Sequence, residues 1–353
     1  MGQGTLAGMN APRVVWIISE GSPGHVSQSL GLVSSLAEKV PLAIYQLECR
    51  PKINGLIRQL IRLIWMGKNG RPLPNGLLHG PLGLDRIPAE IPAPDLILSS
   101  GGRSVFAART LAVRLKAPFV FLGERKPYPP SWFHTVFTPS CLETAINDIR
   151  MDVIPTKITP AIVNQAAADW SNKPSGRLWT MLIGGSSRSH DFQNIDWENL
   201  AEGMNALAER EGIRWLVTTS RRTGKVAEEK IRGLLKPEII ADAVWWCHHP
   251  EKKFNAYLGA AEVIWVTQDS ISMVTEAVAT AKPVVVIQPA HTPFPATCYM
   301  PGYLENLASL GLILRLAITR LTHVDHHFLQ RPPPPLHATG PLAVTLCQRL
   351  GWI

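Results

Sequence analysis

A glutamate and a histidine five residues apart are the pair in this sequence best suited to proton transfer. Glu20 and His25 lie in a glycine-containing loop that follows an apolar run over residues 14–18. Glycine allows close backbone approach to a ligand, and either Glu20 or His25 is a candidate general base. A tight turn with Ser22 as a helix cap is the structural alternative. The other candidate residues of this loop are Gly21, Gly24 and Gln28.

Two more loops of the N-terminal half have residues suited to an anionic or polar acceptor. The SSGGR loop at 99–103 follows an apolar run and would present backbone amides and one guanidinium to an anion. The ERKP loop at 124–127 follows another such run, and a solvated charged loop explains it equally well. The candidate acceptor-side residues here are Gly101, Gly102, Arg103, Glu124 and Arg125.

Three loops of the C-terminal half together predict a diphosphate site. They follow apolar runs at 178–183, 215–218 and 263–266, and each offers hydroxyl groups and a helix N-terminus. Glu276 lies one to two helical turns further on, where a carboxylate can accept both ribose hydroxyls. Ser and Thr also cap helices, but three such loops at one sheet edge favour a shared ligand. The candidate donor-binding residues are Gly184, Gly185, Ser186, Ser187, Ser220, Arg221, Arg222, Gln268, Asp269, Ser270, Ser272, Met273 and Glu276.

The elements that must position these loops are repeated strand–loop–helix units. Their strands are apolar throughout, which indicates parallel sheets covered on both faces, and such sheets bind ligands at the carboxyl ends of their strands. A chain of 353 residues suits two domains of about 150 residues each. The predicted fold is therefore α/β, with two Rossmann-like, doubly wound domains facing a cleft. We expect an acceptor-side domain over 1–155, a donor-side domain over 156–335, and a terminal helix over 336–353 that packs back on the first domain.

Several other classes of site lack their sequence signatures. There is no Walker P-loop and no G-x-G-x-x-G in a first strand–helix unit, which argues against nucleotide hydrolysis and a standard NAD site. Neither Asp-x-Asp nor the G-x-S-x-G nucleophile motif occurs. The histidine pairs at 248–249 and 326–327, with His323, have no nearby set of Cys or carboxylate ligands, so we interpret them as surface or core residues. We expect no metal and no cofactor.

Composition and charge indicate the cellular compartment of the protein and the classes of partner it can bind. Hydrophobic residues make up 46% and charged residues 18%, which is globular rather than disordered. Five scattered cysteines without a C-x-x-C pair, and an N-terminus unlike a signal peptide, favour a cytoplasmic protein. The net charge of +8 favours an anionic partner such as a nucleotide diphosphate, phospholipid, lipopolysaccharide or nucleic acid, or serves solubility alone.

Residues 52–71 contain an aliphatic stripe with Arg58 and Arg62 on its other side and Trp65 at its end, flanked by further basic residues. Such a helix can lie in the interface of an anionic membrane. An ordinary helix packed on the first sheet is the alternative. The segment therefore leaves open a peripheral contact with the inner membrane.

With these motifs in view, the sequence resembles the bacterial branch of the mitochondrial-fission (elongated-mitochondria) family. The family's first loop usually begins with Asp-Gly, and Glu20 stands at the Asp position here, whereas Gly21, Gly24, His25 and Gln28 fit. An arginine pair is frequent in the family at the position of Gly102 and Arg103. The stretches that carry the resemblance are SEGSPGHVSQSLGL, PDLILSSGGRS, LIGGSS, LVTTSRRT and VTQDSISMVTEAVATAKPV.

The resemblance implies a glycosyltransferase-B (GT-B) architecture. The segment 269–276 is similar to the donor-binding segment of the lipid II-forming N-acetylglucosaminyltransferase, which implies that Ser270, Ser272 and Met273 touch phosphate and Glu276 holds ribose. Plant members of the family act as adaptors in organelle division, and bacterial members look like envelope sugar transferases.

We therefore expect a metal-independent glycosyltransferase that takes a nucleotide sugar and a cell-envelope or lipid-linked saccharide, such as a glycolipid or lipopolysaccharide core. His25 or Glu20 would act as base, and Arg221 would stabilise the leaving diphosphate. No nucleic-acid partner is expected. Two alternatives remain open: a non-enzymatic membrane-associated adaptor, which would not bind nucleotides, and a nucleotide-sugar epimerase, which would need no acceptor.

Overall fold

The computed structural model describes residues 11–52, 55–66, 72–125, 128–139, 145–295, 298–335 and 339–353. The chain divides into two units. The first unit comprises Met1–Lys157 together with His337–Ile353, and the second comprises Ile158–Leu336. The expected boundary after residue 155 lies two residues from this division.

The first unit contains a six-stranded parallel sheet in the order β2-β1-β3-β4-β5-β6. Its strands are β1 (Arg13–Ser19), β2 (Leu42–Glu48), β3 (Leu96–Ser100), β4 (Phe119–Leu122), β5 (Thr135–Thr138) and β6 (Asp148–Arg150). Its helices are α1 (Pro23–Ala37), α2 (Gly55–Met66), α3 (Asn75–His79), α4 (Val105–Leu115) and, at the end of the chain, α12 (Gly340–Arg349). Every residue of β3, β4 and β5 is buried, as expected for inner strands of a doubly covered parallel sheet.

The strand order of this sheet decides where a ligand can bind. From β1 the chain runs to β2 on one side, and from β2 it returns to β3 on the other side of β1. The crevice of such a sheet lies at the carboxyl ends of the strands that flank this reversal. The loops after β1 and β3 are thereby brought together.

The terminal helix packs on the first unit. Leu342, Ala343 and Leu346 of α12 are buried, and the Ser35 hydroxyl of α1 donates to Thr339 Oγ1 at 2.7 Å. Residues remote in sequence from the rest of the first unit thus belong to it.

The second unit also contains a six-stranded parallel sheet, in the order β12-β11-β10-β7-β8-β9. Its strands are β7 (Leu178–Leu182), β8 (Arg214–Thr218), β9 (Ile240–Val244), β10 (Val263–Thr267), β11 (Val284–Gln288) and β12 (Leu314–Ala317). Its helices are α5 (Pro160–Ala168), α6 (Asn194–Glu211), α7 (Lys225–Leu234), α8 (Phe254–Ala260), α9 (Ile271–Val278), α10 (Met300–Ser309) and α11 (His326–Gln330). The strand order reverses between β7 and β10.

Three tryptophans from three adjacent strands fill the core of the second unit. Trp179 stacks on Trp265 at a centroid distance of 5.9 Å, and Trp215 meets Trp179 edge-on at 5.8 Å. All three are buried. Such aromatic pairs add stabilisation beyond their buried area, so the strands that carry the candidate donor loops are firmly fixed.

The two doubly wound parallel sheets confirm the predicted fold class. One strand differs from what the sequence predicts: the apolar run at residues 244–246 predicts a strand, whereas β9 spans Ile240–Val244 and ends where that run begins. Within the described ranges, no helix combines the length and apolarity needed to span a bilayer. No group of three or more His, Cys, Asp or Glu residues in those ranges is placed to hold a metal ion.

Candidate functional site

The loop after β1 places His25 against Glu20. The chain turns at Gly21, which has φ +79°, and α1 begins at Pro23, so His25 lies in the first turn of that helix. His25 Nδ1 is 2.5 Å from Glu20 Oε1. Because an ionised carboxylate only accepts hydrogen bonds, Nδ1 carries the proton and Nε2 is the basic nitrogen. The Glu20 side chain is 8% exposed and that of His25 is 37% exposed, so the imidazole is accessible and the carboxylate is not.

Hydroxyl groups from β3 and from the residue just before α4 support the buried Glu20 carboxylate. Ser104 Oγ donates to Glu20 Oε2 at 3.3 Å, and Ser104 is itself 2.6 Å from Ser99 Oγ. Ser29 of α1 and Ser100 of β3 share a further hydroxyl contact at 2.5 Å. These bonds tie the loops after β1 and β3 into one polar cluster.

Gly101 leaves the space in which the Glu20–His25 pair lies. A Cβ at this position would fall 2.3 Å from His25 Nδ1 and 2.7 Å from Glu20 Oε1. Its φ of +83° also disfavours any side chain. At the neighbouring Gly102, by contrast, a Cβ would meet nothing within 4 Å.

Most of the remaining acceptor-side candidates are at least partly exposed, and one is held in an almost fully buried ion pair. Gln28 is half-buried in α1, as is Gly24, and Arg103 is exposed. Glu124 is half-buried after β4. Arg125 has a structural role instead of the expected acceptor contact, because its Nε donates to both oxygens of Asp148 at 3.1 and 3.2 Å and the pair is almost fully buried.

In the second unit, the glycine loop after β7 is held by the loop after β10. The Gly184 amide donates to Thr267 Oγ1 at 2.7 Å, and the Gly185 amide donates to Asp269 Oδ2 at 3.0 Å. Both glycines are buried. Gly184 and Gly185 were expected to bind the donor, but their amides are used to fix the loop; the exposed Ser186 and Ser187 lie at its surface.

Asp269 and Arg222 form an ion pair at the centre of the three loops. Arg222 Nη2 is 2.7 Å from Asp269 Oδ2, whose side chain is fully buried. Burial raises the pKa of Asp269, while Arg222 and the Gly185 amide oppose that rise. Asp269, expected to contact the ligand, instead joins the loops after β7, β8 and β10. Ser220 contributes to this scaffold by accepting from the Arg222 amide at 3.2 Å.

Gln268 was expected at the ligand as well, but it is fully buried. Its Nε2 lies 3.2 Å from His190 Nε2, and His190 is also fully buried. Burial and, secondarily, Arg222 lower the pKa of His190 to about 4. The neutral ring therefore accepts the amide proton of Gln268 and helps to fix the end of β10.

The first turns of α9 carry the candidate donor residues that remain accessible. The N-cap residue Ser270 is not one of them: it is buried, with 8% exposure, and its side chain makes no capping hydrogen bond. Ser272, Met273 and Glu276 are half-buried. Glu276 is spaced i+4 from Ser272 and i+3 from Met273, so it lies on the same side of α9 as each of them. Arg221, in the loop after β8, is exposed.

Comparison with known proteins identifies the family of the chain. The family model for mitochondrial fission ELM1 matches residues 23–350. The chain belongs to the mitochondrial fission ELM1 family. No curated protein is similar enough in sequence to match it.

Solved structures similar to this ELM1-family chain share its fold. The UDP-GlcNAc 2-epimerase from Methanocaldococcus jannaschii is 11% identical with a TM-score of 0.57, over 97% of this chain and 100% of the epimerase. CalG4, the calicheamicin glycosyltransferase, is 15% identical with a TM-score of 0.51, over 98% of this chain and 100% of that one. The ELM1-family chain thus has a GT-B, glycosyltransferase-like fold.

Sequence reasoning missed one polar cluster of the ELM1-family chain. Glu228 of α7 is fully buried and accepts from Thr219 Oγ1 at 2.5 Å, the Cys247 amide at 3.0 Å and His248 Nδ1 at 3.1 Å. These bonds hold the segment after β9, in which Trp246 is 44% exposed. A glutamate in a polar helix gives no sequence signal of such a role, because it looks like any solvent-facing residue.

Proposed function

We propose that this protein is a metal-independent glycosyltransferase that transfers a sugar from a nucleotide sugar to a cell-envelope or lipid-linked saccharide. The observation that carries the proposal is the Glu20–His25 pair at the strand reversal of the first sheet. An accessible imidazole with its Nδ1 proton held by a buried carboxylate is the arrangement that a general base requires.

In the proposed reaction, His25 Nε2 takes the proton of an acceptor hydroxyl as that oxygen bonds to the anomeric carbon of the donor. The bond from this carbon to the diphosphate breaks, and the nucleoside diphosphate leaves with the bonding electrons. Glu20 stabilises the imidazolium that forms. No metal is assigned a step in this scheme.

The donor is assigned to the second unit. Ser270, Ser272 and the first-turn amides of α9 would bind the diphosphate, because a helix N-terminus and hydroxyl groups favour anions. Met273 is assigned to the same phosphate contact, Glu276 to the ribose, and Arg221 to the leaving diphosphate. The Methanocaldococcus epimerase of the same fold has been solved with UDP-GlcNAc and UDP, which supports a nucleotide sugar as the ligand class.

Thermal unfolding in the presence of nucleoside diphosphates and their sugars tests the donor site. A matching nucleotide should raise the Tm of the wild type, and Glu276→Ala and Arg221→Ala should each abolish the rise. Arg103→Ala, an equally exposed arginine of the first unit, is the matched control and should retain it. An equal rise in all four proteins would refute the assignment, and no rise with any nucleotide would favour an adaptor.

Product analysis with the nucleotide that binds then tests the reaction. His25→Ala should lose transfer to the acceptor while keeping the nucleotide-induced rise in Tm. Glu20→Gln should lower the rate by 10²-fold or more, on the order of the contribution of general base catalysis. Formation of an isomerised sugar nucleotide without acceptor would identify an epimerase instead.

A further inference from the structure

Helix α2 presents an aliphatic face to solvent. Leu56 is 76% exposed, Leu60 55% and Leu63 63%. Residues spaced i, i+4 and i+7 lie on one face of a helix, and Ile57 and Ile64 of the same helix are also exposed. The alternative of an ordinary helix with its apolar face packed on the first sheet is therefore excluded for these side chains.

The charge of the surrounding sequence indicates what covers this face. Residues 49–84 contain no Asp or Glu and six basic residues, namely Arg50, Lys52, Arg58, Arg62, Lys68 and Arg71. Each basic residue near an anionic leaflet contributes about 1 kcal/mol of attraction. A second copy of this chain would bring the same positive segment against itself. An apolar stripe within a purely basic segment is instead complementary to an anionic lipid surface.

A polar pocket includes Lys52, which precedes α2 by three residues in the chain. It has a volume of about 370 Å³, and its lining includes Glu48, Arg50, Lys52 and Asp85. Arg50 and Glu48 form an ion pair. The two cations suit a phosphate, and the two carboxylates can accept hydrogen bonds from hydroxyl groups. The pocket thus suits a phosphate head that also carries hydroxyls.

This pocket lies at the same edge of the first sheet as the Glu20–His25 pair. Glu48 at the end of β2 is in register with Ser19 at the end of β1, and the Cys49 amide donates to Ser19 O at 2.7 Å. Glu20 is the next residue along the chain. A head group in the pocket would therefore lie at the same edge of the sheet as the proposed base.

We propose that α2 and the pocket beside it form a docking site for an anionic, hydroxyl-bearing phospholipid or glycolipid at a bilayer surface. The aliphatic face of α2 enters the acyl boundary, and the head group enters the pocket. That the docked lipid is the sugar acceptor rests on the proposed function; the docking itself does not, and it is measured without any nucleotide.

Cosedimentation of the full chain with vesicles tests the docking. Vesicles of phosphatidylcholine mixed equally with phosphatidylglycerol should bind the protein, and vesicles of phosphatidylcholine alone should bind it much less. Leu60→Ser with Leu63→Ser should lower the partition coefficient at least about tenfold, since two leucine side chains leave the bilayer. The matched control, Ile195→Ser with Val226→Ser, removes two equally exposed aliphatics of the second unit and should bind as the wild type does.

Equal binding by the α2 variant and the wild type would overturn the docking proposal. So would a wild-type dimer in sedimentation velocity that the α2 variant dissociates, because the face would then be covered by a second copy. The pocket has its own measurement: the wild type should prefer phosphatidylglycerol over phosphatidylserine, which has the same net charge, and Asp85→Asn should lose that preference. Equal affinity of the wild type for both lipids would refute the role of the pocket.

Discussion

His190 should make the second unit sensitive to acid. Its ring is fully buried, lies edge-on to Phe294 at a centroid distance of 5.1 Å, and accepts from Gln268. Burial, and then the charge of Arg222, lower the pKa of His190 from 6.5 to about 4. Arg315 approaches the same Gln268 at 3.5 Å, so a second cation faces this cluster. Protonation of the ring in the native state would also remove the acceptor of the Gln268 amide.

The direction and size of the effect follow from the two pKa values. Between pH 6.5 and about 4, the unfolded chain binds a proton at His190 that the native protein does not bind. The free energy of unfolding therefore falls as the pH falls through this window, and it is unaffected by this residue above pH 6.5. A pKa difference of about 2.5 units at 1.36 kcal/mol each corresponds to a loss of about 3 kcal/mol.

Urea unfolding at a series of pH values from 7 to 4 measures this loss. His190→Gln retains an acceptor for Gln268 but does not titrate, so its stability should decline less steeply with acidification than that of the wild type. His249→Gln removes a histidine whose side chain is 82% exposed and should follow the wild type. The slope is compared rather than the absolute stability, so that any cost of the substitution itself cancels. Parallel curves for the wild type and His190→Gln would refute the reasoning.

Three further substitutions test single contacts. Gly101→Ala should abolish transfer activity while Gly102→Ala leaves it intact, because only the first Cβ would collide with His25; equal activity of both variants would contradict this. Arg222→Ala should lower the free energy of unfolding by about 2 kcal/mol by leaving the buried Asp269 charge unpaired, and adding Asp269→Asn should recover part of it in a double-mutant cycle; strict additivity would contradict the pairing. Gly259→Ala should lower the free energy of unfolding by about 1–3 kcal/mol, because its Cβ would lie 1.9 Å from the carbonyl oxygen of Val163 in α5. Urea unfolding measures this loss, and an unchanged midpoint would contradict that close packing.

Most inner strands of both sheets could be predicted from the sequence, whereas the inner strand β5 and the edge strands could not. Strands such as β3, β4 and β10 are buried on both faces, so they are continuous apolar runs. In β2, exposed and buried residues are mixed, and β9 carries Asp242 in its middle. The apolar residues just after β9 therefore looked more like a strand than the strand itself.

The sequence also indicated which loops meet, but not which atoms pair. Strand order brings together the loops after β7 and β10, and the residues expected there do lie together. The hydrogen bond from Gly185 to Asp269 and the burial of Gln268 depend on how the side chains pack inside that cluster. No spacing in the sequence shows whether a polar residue faces a ligand or a neighbouring loop. For the same reason, the sequence did not distinguish Arg125, which pairs with the buried Asp148, from Arg103, which is exposed.

The two units share one packing feature: a glycine next to a carboxylate at the strand reversal of the sheet. In the first, Gly101 follows β3, and a Cβ there would collide with the Glu20–His25 pair. In the second, Gly184 follows β7, and a Cβ there would lie 2.1 Å from Asp269 Oδ2. In each sheet a glycine after one strand of the reversal lets a carboxylate from the loop of the neighbouring strand approach the backbone closely. Because only glycine permits that approach, a glycine after one such strand and an acid after its neighbour predict a buried carboxylate at the strand reversal. The partners of the two carboxylates differ: Glu20 holds an accessible imidazole, which suits proton transfer, and Asp269 holds an arginine, which suits a fixed scaffold.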